Sequence, residues 1–194
     1  NASLEALYTN IWVPNQYSNM TMSNVQLDKY LSKIKCYSNS EIDQSIVKSR
    51  NIISLLKKVF NCHIDNKFER WCVDGKNFSS WVSNSLKDIL DEKSATFGYT
   101  CENLELMRLV KQRGGFAVHG QVDPGIEWYK VLEDESNLWP GAMPLTEKPT
   151  AAFINRISKE WKISDKIIVN SSYSKESLVT HGVSQDKIQI IPLS

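Results

Sequence analysis

A run of three β-branched residues near the end of the chain, Ile167-Ile168-Val169, constrains the fold more than any other feature. Such a run leaves no room for a helical face and predicts a short buried strand. Asn170, Ser171, Ser172 and Ser174 follow, with side-chain oxygens suited to capping a helix start. Leu178 and Val179 give that short helix an apolar side, and Gly182 after His181 stands where a C′ glycine belongs. Gln189-Ile190-Ile191-Pro192-Leu193 repeats the strand pattern, with Pro192 ending it. Strand, helix and strand within about thirty residues make a βαβ unit, which requires neighbouring parallel strands.

The same alternation runs back through most of the chain. Residues 4–13 predict an aromatic strand closed by Pro14, and residues 15–24 a polar loop. Residues 29–36 are ambiguous. Ser40 and Asp43 form a variant capping box, and Ile42, Ile46, Ile53, Leu56 and Phe60 then recur at helical spacing. Residues 62–71 read as a loop with Lys67, Glu69 and Arg70 exposed. A helix from about Asn77 carries Phe78, Trp81, Val82, Leu86, Ile89 and Leu90 on one side. Residues 94–100 predict a strand that opens into a helix with Glu102 in its first turn. Leu104, Met107 and Val110 form its buried stripe, and Gly114 is its stop signal.

Residues 116–122 predict a further strand, Asp123-Pro124-Gly125 a turn, and residues 127–139 a helix with Trp128, Val131, Leu132 and Leu138 as its apolar positions. A breaker-rich connection spans residues 140–149, and residues 151–161 form the helix that leads into the closing βαβ unit. The expectation is an α/β chain: a Rossmann-like open parallel sheet with helices on both faces, in one domain over residues 1–194.

Composition removes several function classes. Hydrophobic residues at 41% and charged ones at 23% are ordinary for a globular protein. A net charge of +1 offers no field to nucleic acid or an anionic membrane. No apolar stretch reaches the roughly 18 residues that a membrane span needs, and the start lacks a basic region followed by an apolar core. Cys36, Cys62, Cys72 and Cys101 are 26, 10 and 29 residues apart, with no C-x-x-C pair for zinc. Four N-x-S/T sequons, at Asn1, Asn19, Asn77 and Asn170, are expected by chance in so Asn- and Ser-rich a chain. An even cysteine count in a secreted chain could mean two disulfides, and the sequons would agree with that, but composition and the lack of a signal segment favour reduced cytoplasmic thiols with no disulfide partner.

Ligands of open parallel sheets bind beyond the carboxyl ends of the strands. The candidates are thus Asn15 and Gln16, Tyr99 with Thr100, Cys101, Glu102 and Asn103, the stretch Gln121-Val122-Asp123-Pro124-Gly125 with Glu127, and Ser171 with Tyr173. The substrate-binding set is Tyr99, Glu102, Asn103, Gln121, Asp123, Glu127, Ser171 and Tyr173. Thr100 reads better as a helix cap than as a ligand, and His119 better as a satisfied core residue than as a catalyst. Glu127, Glu133 and Glu135 read as a solvated helix face, and the tryptophans Trp81, Trp128 and Trp161 as core packing. Gly114-Gly115 precedes a strand instead of opening a helix, so it is no dinucleotide fingerprint. No G-x-S-x-G or H-E-x-x-H motif is present. Neither a cofactor nor a metal site is expected.

The closing order SDKIIVNSSYSKESLVTHGVSQDKIQIIPLS resembles the end of the N-terminal domain in retaining family-4 glycosyltransferases of the GT-B fold. Gln121-Val122-Asp123-Pro124-Gly125 is similar to the D-Q-I-D-P-G signature of a bacterial branch of that family, with Glu133, Glu135 and Trp139-Pro140-Gly141 as the counterparts of its later motifs. Gly120 replaces the first acidic residue of the signature, and Asp134 interrupts the glutamate pair. The likeness covers residues 94–194 well and the first ninety weakly. It implies metal-free transfer of a sugar from a nucleotide-sugar donor to a glycan, lipid or small-molecule acceptor. The donor would be bound by a C-terminal domain beyond Ser194, and this half, inactive by itself, would shape the acceptor site. A peripheral membrane association of the full-length protein fits that role. The rival expectation is a non-enzymatic Rossmann-like binding module, and a nicotinamide- or epimerase-type domain lacks its glycine motif.

Overall fold

The structure, a computed structural model, describes residues 3–10, 39–50, 64–142 and 147–192. The chain divides into two compact units, Asn1–His63 and Ile64–Ser194.

In the first unit, strands β1 (Leu7–Thr9) and β2 (Val47–Ser49) pair in parallel, with Leu7 opposite Val47 and Thr9 opposite Ser49. The helix expected from Ser40 does not form over its first residues. Asp43 instead accepts the Ser45 N–H on Oδ1 at 2.9 Å and closes a single 3-10 turn, Gln44–Ile46. Val47 then takes extended angles (φ −84°, ψ 125°). A short acidic side chain that bonds its own downstream backbone competes with a helix start, and β-branching at Ile46 and Val47 favours the strand that follows. Ile53, Leu56 and Phe60 of that expected helix, the loop with Asn15 and Gln16, and residues 29–36 lie outside the described residues.

The second unit holds the Rossmann-like open sheet. Four parallel strands stand in chain order: β3 (Ala95–Tyr99), β4 (Phe116–Gln121), β5 (Lys166–Val169) and β6 (Ile188–Ile190). Helices α1 (Lys67–Leu86), α2 (Leu104–Gln112), α3 (Ile126–Leu138), α4 (Ala151–Ile163) and α5 (Ser172–Thr180) accompany them. Side chains alternate along each strand. Ala117, His119 and Gln121 of β4 share a buried face with Ile167 and Val169 of β5 and Ile188 of β6. Phe68 of α1, Phe153, Ile157 and Trp161 of α4, and Leu178 of α5 pack into one cluster with that face. Fully burying each aliphatic or aromatic side chain of this kind contributes roughly 1.5–3 kcal/mol. Phe97, Tyr99 and Phe116 project from the other face and are about half exposed.

The polar stretch of residues 62–71 reads as a loop, yet α1 begins at Lys67. Asn66 caps it by accepting the N–H groups of Phe68 (2.9 Å) and Glu69 (3.3 Å). Phe68 is fully buried and meets Tyr129 and Phe153 edge to face at 5.0 Å each. The helix ends at Leu86, so Ile89 lies beyond it and is exposed. On α3 the expected apolar stripe does not face the core: Trp128 is 42% and Leu138 69% exposed, while Ile126 and Tyr129 pack inward. The helix carries two apolar stripes, and only the aromatic cluster around Phe68 selects between them. On α5, Leu178 is buried and Val179 is exposed. That helix closes as expected at Gly182 (φ +83°), with Gly182 N–H bonded to Val179 O and Val183 N–H to Leu178 O.

Candidate functional site

The carboxyl ends of β3, β4 and β5 bring the polar residues of this unit together, and Gln121 is their hub. Its amide is 1% exposed. The carbonyl oxygen accepts the Trp161 indole N–H at 2.9 Å, the Thr100 hydroxyl at 3.1 Å and the His119 Nε2–H at 3.2 Å. The amide nitrogen donates to Asp123 Oδ1 at 2.7 Å. Indole can only donate and the carboxylate can only accept, so the two partners fix the orientation of the amide. Asp123 Oδ1 also takes the Gly125 N–H at 2.8 Å, closing the Asp-Pro-Gly turn as a side-chain-to-backbone turn does.

Gly125 sits at φ +64°, ψ −129°, a region essentially restricted to glycine, with the Trp161 ring against it. The turn is pinned from β5 and α5 as well. Asn170 Nδ2 donates to Val122 O at 2.8 Å, and the Ser177 hydroxyl bonds Pro124 O. His119 is fully buried, and burial lowers its pKa to about 4 against the smaller opposing effect of the Gln121 hydrogen bond. The imidazole is thus neutral through the physiological range. Its Nδ1 has no partner.

Thr100 does not cap α2. The N-cap position belongs to Asn103, and the Thr100 hydroxyl serves Gln121 instead. Glu102 precedes α2, and Glu105 occupies the first turn where Glu102 was expected. Asn103 is buried, its side chain lies over Gly98, and its Nδ2 has no partner. Tyr99 projects from the opposite face, away from Gln121, with its ring over Gly120 and edge to face with Phe97 at 5.2 Å. Glu127 pairs with Lys130 at 2.6 Å and lies 3.5 Å from His181 Nε2. Its carboxyl is held below the ordinary value, chiefly by the Lys130 hydrogen bond. Glu133 pairs with Lys148, and Glu135 is exposed. Ser171 caps α5 by accepting the Ser174 N–H at 3.2 Å, and Tyr173 in the first turn is exposed. Of the expected set, Gln121 and Asp123 bond each other directly. Ser171 caps α5 and Glu127 pairs with Lys130 on its own helix, while Asn103, Tyr99, Glu102 and Tyr173 make no bond to the Gln121 network.

A second polar cluster clamps the β3–α2 connection. Cys101 holds φ +72°, a left-handed backbone carried by a non-glycine residue. Its N–H donates to Glu160 Oε2 at 2.8 Å, and its carbonyl accepts Arg156 Nε at 2.9 Å. The two remaining guanidinium nitrogens reach Glu105 in a bidentate pair at 2.8 and 2.7 Å. Glu160 is fully buried, and burial raises its carboxyl to about 7 against the pull of the Cys101 N–H and Arg156. Across from Cys101, Gly75 of α1 brings its backbone so near that a Cβ there would fall 1.9 Å from the Cys101 carbonyl oxygen.

Arg156, Glu160 and Trp161 are the residues that sequence reasoning missed as polar partners. Their only signal is their spacing. Arg156 and Glu160 stand four residues apart within the stripe of Phe153, Ile157 and Trp161 that α4 turns toward the core, where an unpaired charge would not be tolerated. Among the described residues, no group of three His, Cys, Asp or Glu side chains could hold a metal ion. None of the described helices is long and apolar enough to cross a membrane. Comparison of the chain with protein-family models, with curated proteins and with solved structures gives no match.

Proposed function

We propose that this chain is the N-terminal, acceptor-side half of a retaining GT-B glycosyltransferase of family 4, working in the cytoplasm. It would take part in moving a sugar from a nucleotide-sugar donor to a glycan, lipid or small-molecule acceptor. The observation that carries this reading is the Gln121-Val122-Asp123-Pro124-Gly125 turn at the carboxyl end of β4. There the buried Gln121 amide and the Asp123 carboxylate rigidify the crest of a parallel sheet, with Glu127 at the start of the following helix. Ligands of open parallel sheets bind at such crests, and a loop locked before the ligand arrives lowers the ordering cost of binding. Asp123, Glu127 and Ser171 would border the acceptor. The donor nucleotide would be held by a second domain encoded beyond Ser194.

One observation favours the rival reading of a non-enzymatic binding module. Gln121, Thr100 and Asp123 already spend polar atoms on one another, which suits a scaffold as well as a reaction site.

The test has two parts. Thermal-shift titration of the 194-residue chain with UDP-, GDP- and ADP-sugars should give no saturable shift, because the nucleotide is held elsewhere. The chain extended by the residues that follow Ser194 in its gene should both shift and release nucleoside diphosphate from one of these donors. A saturable shift of the shorter chain would place the nucleotide here and overturn this division of labour. Failure of the extended chain with every donor would favour the binding module.

A further inference from the structure

Two sulfur atoms meet at the clamped connection between β3 and α2. Cys72 Sγ on α1 and Cys101 Sγ stand 4.0 Å apart, each as a free thiol. They come from elements 29 residues apart in the chain. The backbones are also close, because Gly75 lies one helical turn beyond Cys72 and faces the Cys101 carbonyl without a side chain between them. A disulfide needs a sulfur separation of about 2.05 Å and tolerates Cα separations of about 4.4–6.8 Å. Side-chain rotation over roughly 2 Å of sulfur travel would close the bond. Cys101 is buried, whereas Cys72 is partly exposed and open to a small oxidant.

We propose that Cys72 and Cys101 form a reversible redox latch that ties α1 to the β3–α2 connection beside the Gln121 hub. The oxidant is of the peroxide class. The Cys72 thiolate attacks the peroxide oxygen, breaks the O–O bond and becomes a sulfenic acid, releasing one water when hydrogen peroxide is used. The Cys101 sulfur then attacks the Cys72 sulfur, the S–S bond forms, and hydroxyl leaves with the Cys101 proton as a second water. Two thiols and one hydrogen peroxide thus give one disulfide and two waters. Burial raises both thiols above their ordinary value, so the first step is slow at neutral pH and accelerates in alkali. The thiols are reduced in the cytoplasm under ordinary conditions, and the latch closes under oxidative load.

Closing the bond ties Cys101 covalently to α1. Cys101 adjoins Thr100, whose hydroxyl bonds Gln121, so the latch acts one residue from the network at the crest of β4. It also restrains the unfolded chain and is expected to raise Tm by several degrees.

The experiment uses the whole chain with Cys36→Ser and Cys62→Ser, treated with hydrogen peroxide at alkaline pH and digested without reduction. The expected result is a peptide pair joined through Cys72 and Cys101, two hydrogens lighter than the separate thiols. Tm should rise, and both changes should reverse with dithiothreitol. Cys72→Ser, at the more exposed partner, should fold, lose the joined peptides and show no Tm rise. Joined peptides must also appear in the chain with all four cysteines. Recovery of Cys72 and Cys101 as free thiols, as separate sulfinic acids, or bonded to Cys36 or Cys62 would overturn the proposal. A Cys72–Cys101 bond that leaves Tm unchanged would overturn the latch as well.

Discussion

Glu160 of α4 accepts the backbone N–H of Cys101 at 2.8 Å with a carboxylate that has no exposed surface, while its other oxygen has no hydrogen-bond partner. Arg156, one turn earlier, holds the carbonyl of the same residue. One helix therefore grips both polar ends of a backbone that sits in the left-handed region. The grip keeps the β3–α2 connection against α1 and sets Thr100 beneath Gln121.

Burial drives Glu160 and His119 to titrate in opposite senses. The carboxyl rises from 4.5 to about 7, and the imidazole falls from 6.5 to about 4. Glu160 contributes stability that is present below about pH 4.5 and lost as pH rises through about 7. His119 contributes stability that is present above about pH 6.5 and lost as pH falls through about 4. Between these limits the two slopes cancel in the native chain. Glu160→Gln should unmask the imidazole slope, steepening the loss of stability with acid by up to about 1.4 kcal/mol per pH unit. His119→Gln should shift the slope the other way. Urea unfolding at a series of pH values measures both, and parallel curves for native chain and variants would refute the pairing.

Arg156→Lys keeps the charge but loses the planar fork that serves Cys101 O and both Glu105 oxygens together. Breaking this nearly buried network should destabilise the chain by about 3 kcal/mol. A loss below roughly 1 kcal/mol in chemical denaturation would show that an ammonium can replace the fork.

Gly75→Ala sets two effects against each other. Alanine favours a helix interior by about 1 kcal/mol over glycine. Its Cβ, however, would lie 1.9 Å from the Cys101 carbonyl oxygen, a backbone atom that Arg156 holds in place. Separating α1 from the connection should cost more than the propensity gain, for a net loss of roughly 1–3 kcal/mol. A stabilised variant in thermal or urea unfolding would mean that the two backbones part easily.

Gln121→Leu would leave the Trp161 N–H and the Thr100 hydroxyl without their buried acceptor, and Trp161→Phe would remove one of those donors. Each single change should cost about 1–3 kcal/mol. The double variant should cost less than their sum, with a coupling of roughly 0.5–3 kcal/mol. Strict additivity would deny that the indole and the amide act as one unit.

Much of the architecture was legible in local pattern. Ile167-Ile168-Val169, the caps at Ser171 and Gly182, and the stripe of Leu104, Met107 and Val110 all behave as their spacing indicates, because each depends on neighbours within a few residues. The alternation of strands and helices then implies a parallel sheet, and the crest positions Gln121 and Asp123 follow from that sheet. Local pattern misled where two local outcomes are close in energy. Asp43 could cap a helix or close a turn on Ser45, and α3 could bury Trp128 or Tyr129.

Contacts between distant segments settled the rest. Nothing in the residues around Cys101 says that its backbone will turn left-handed, because what holds it there lies 55 and 59 residues away, on Arg156 and Glu160. The meeting of Cys72 with Cys101, and the choice of Thr100 as a partner for Gln121 instead of a cap for α2, arise in the same way. The sequence by itself determined the segments whose form depends on near neighbours, β5 and α2 among them. Only the tertiary structure decided which buried polar atoms meet, because their partners are far apart in the chain and each pairing exists only once the core has closed around it.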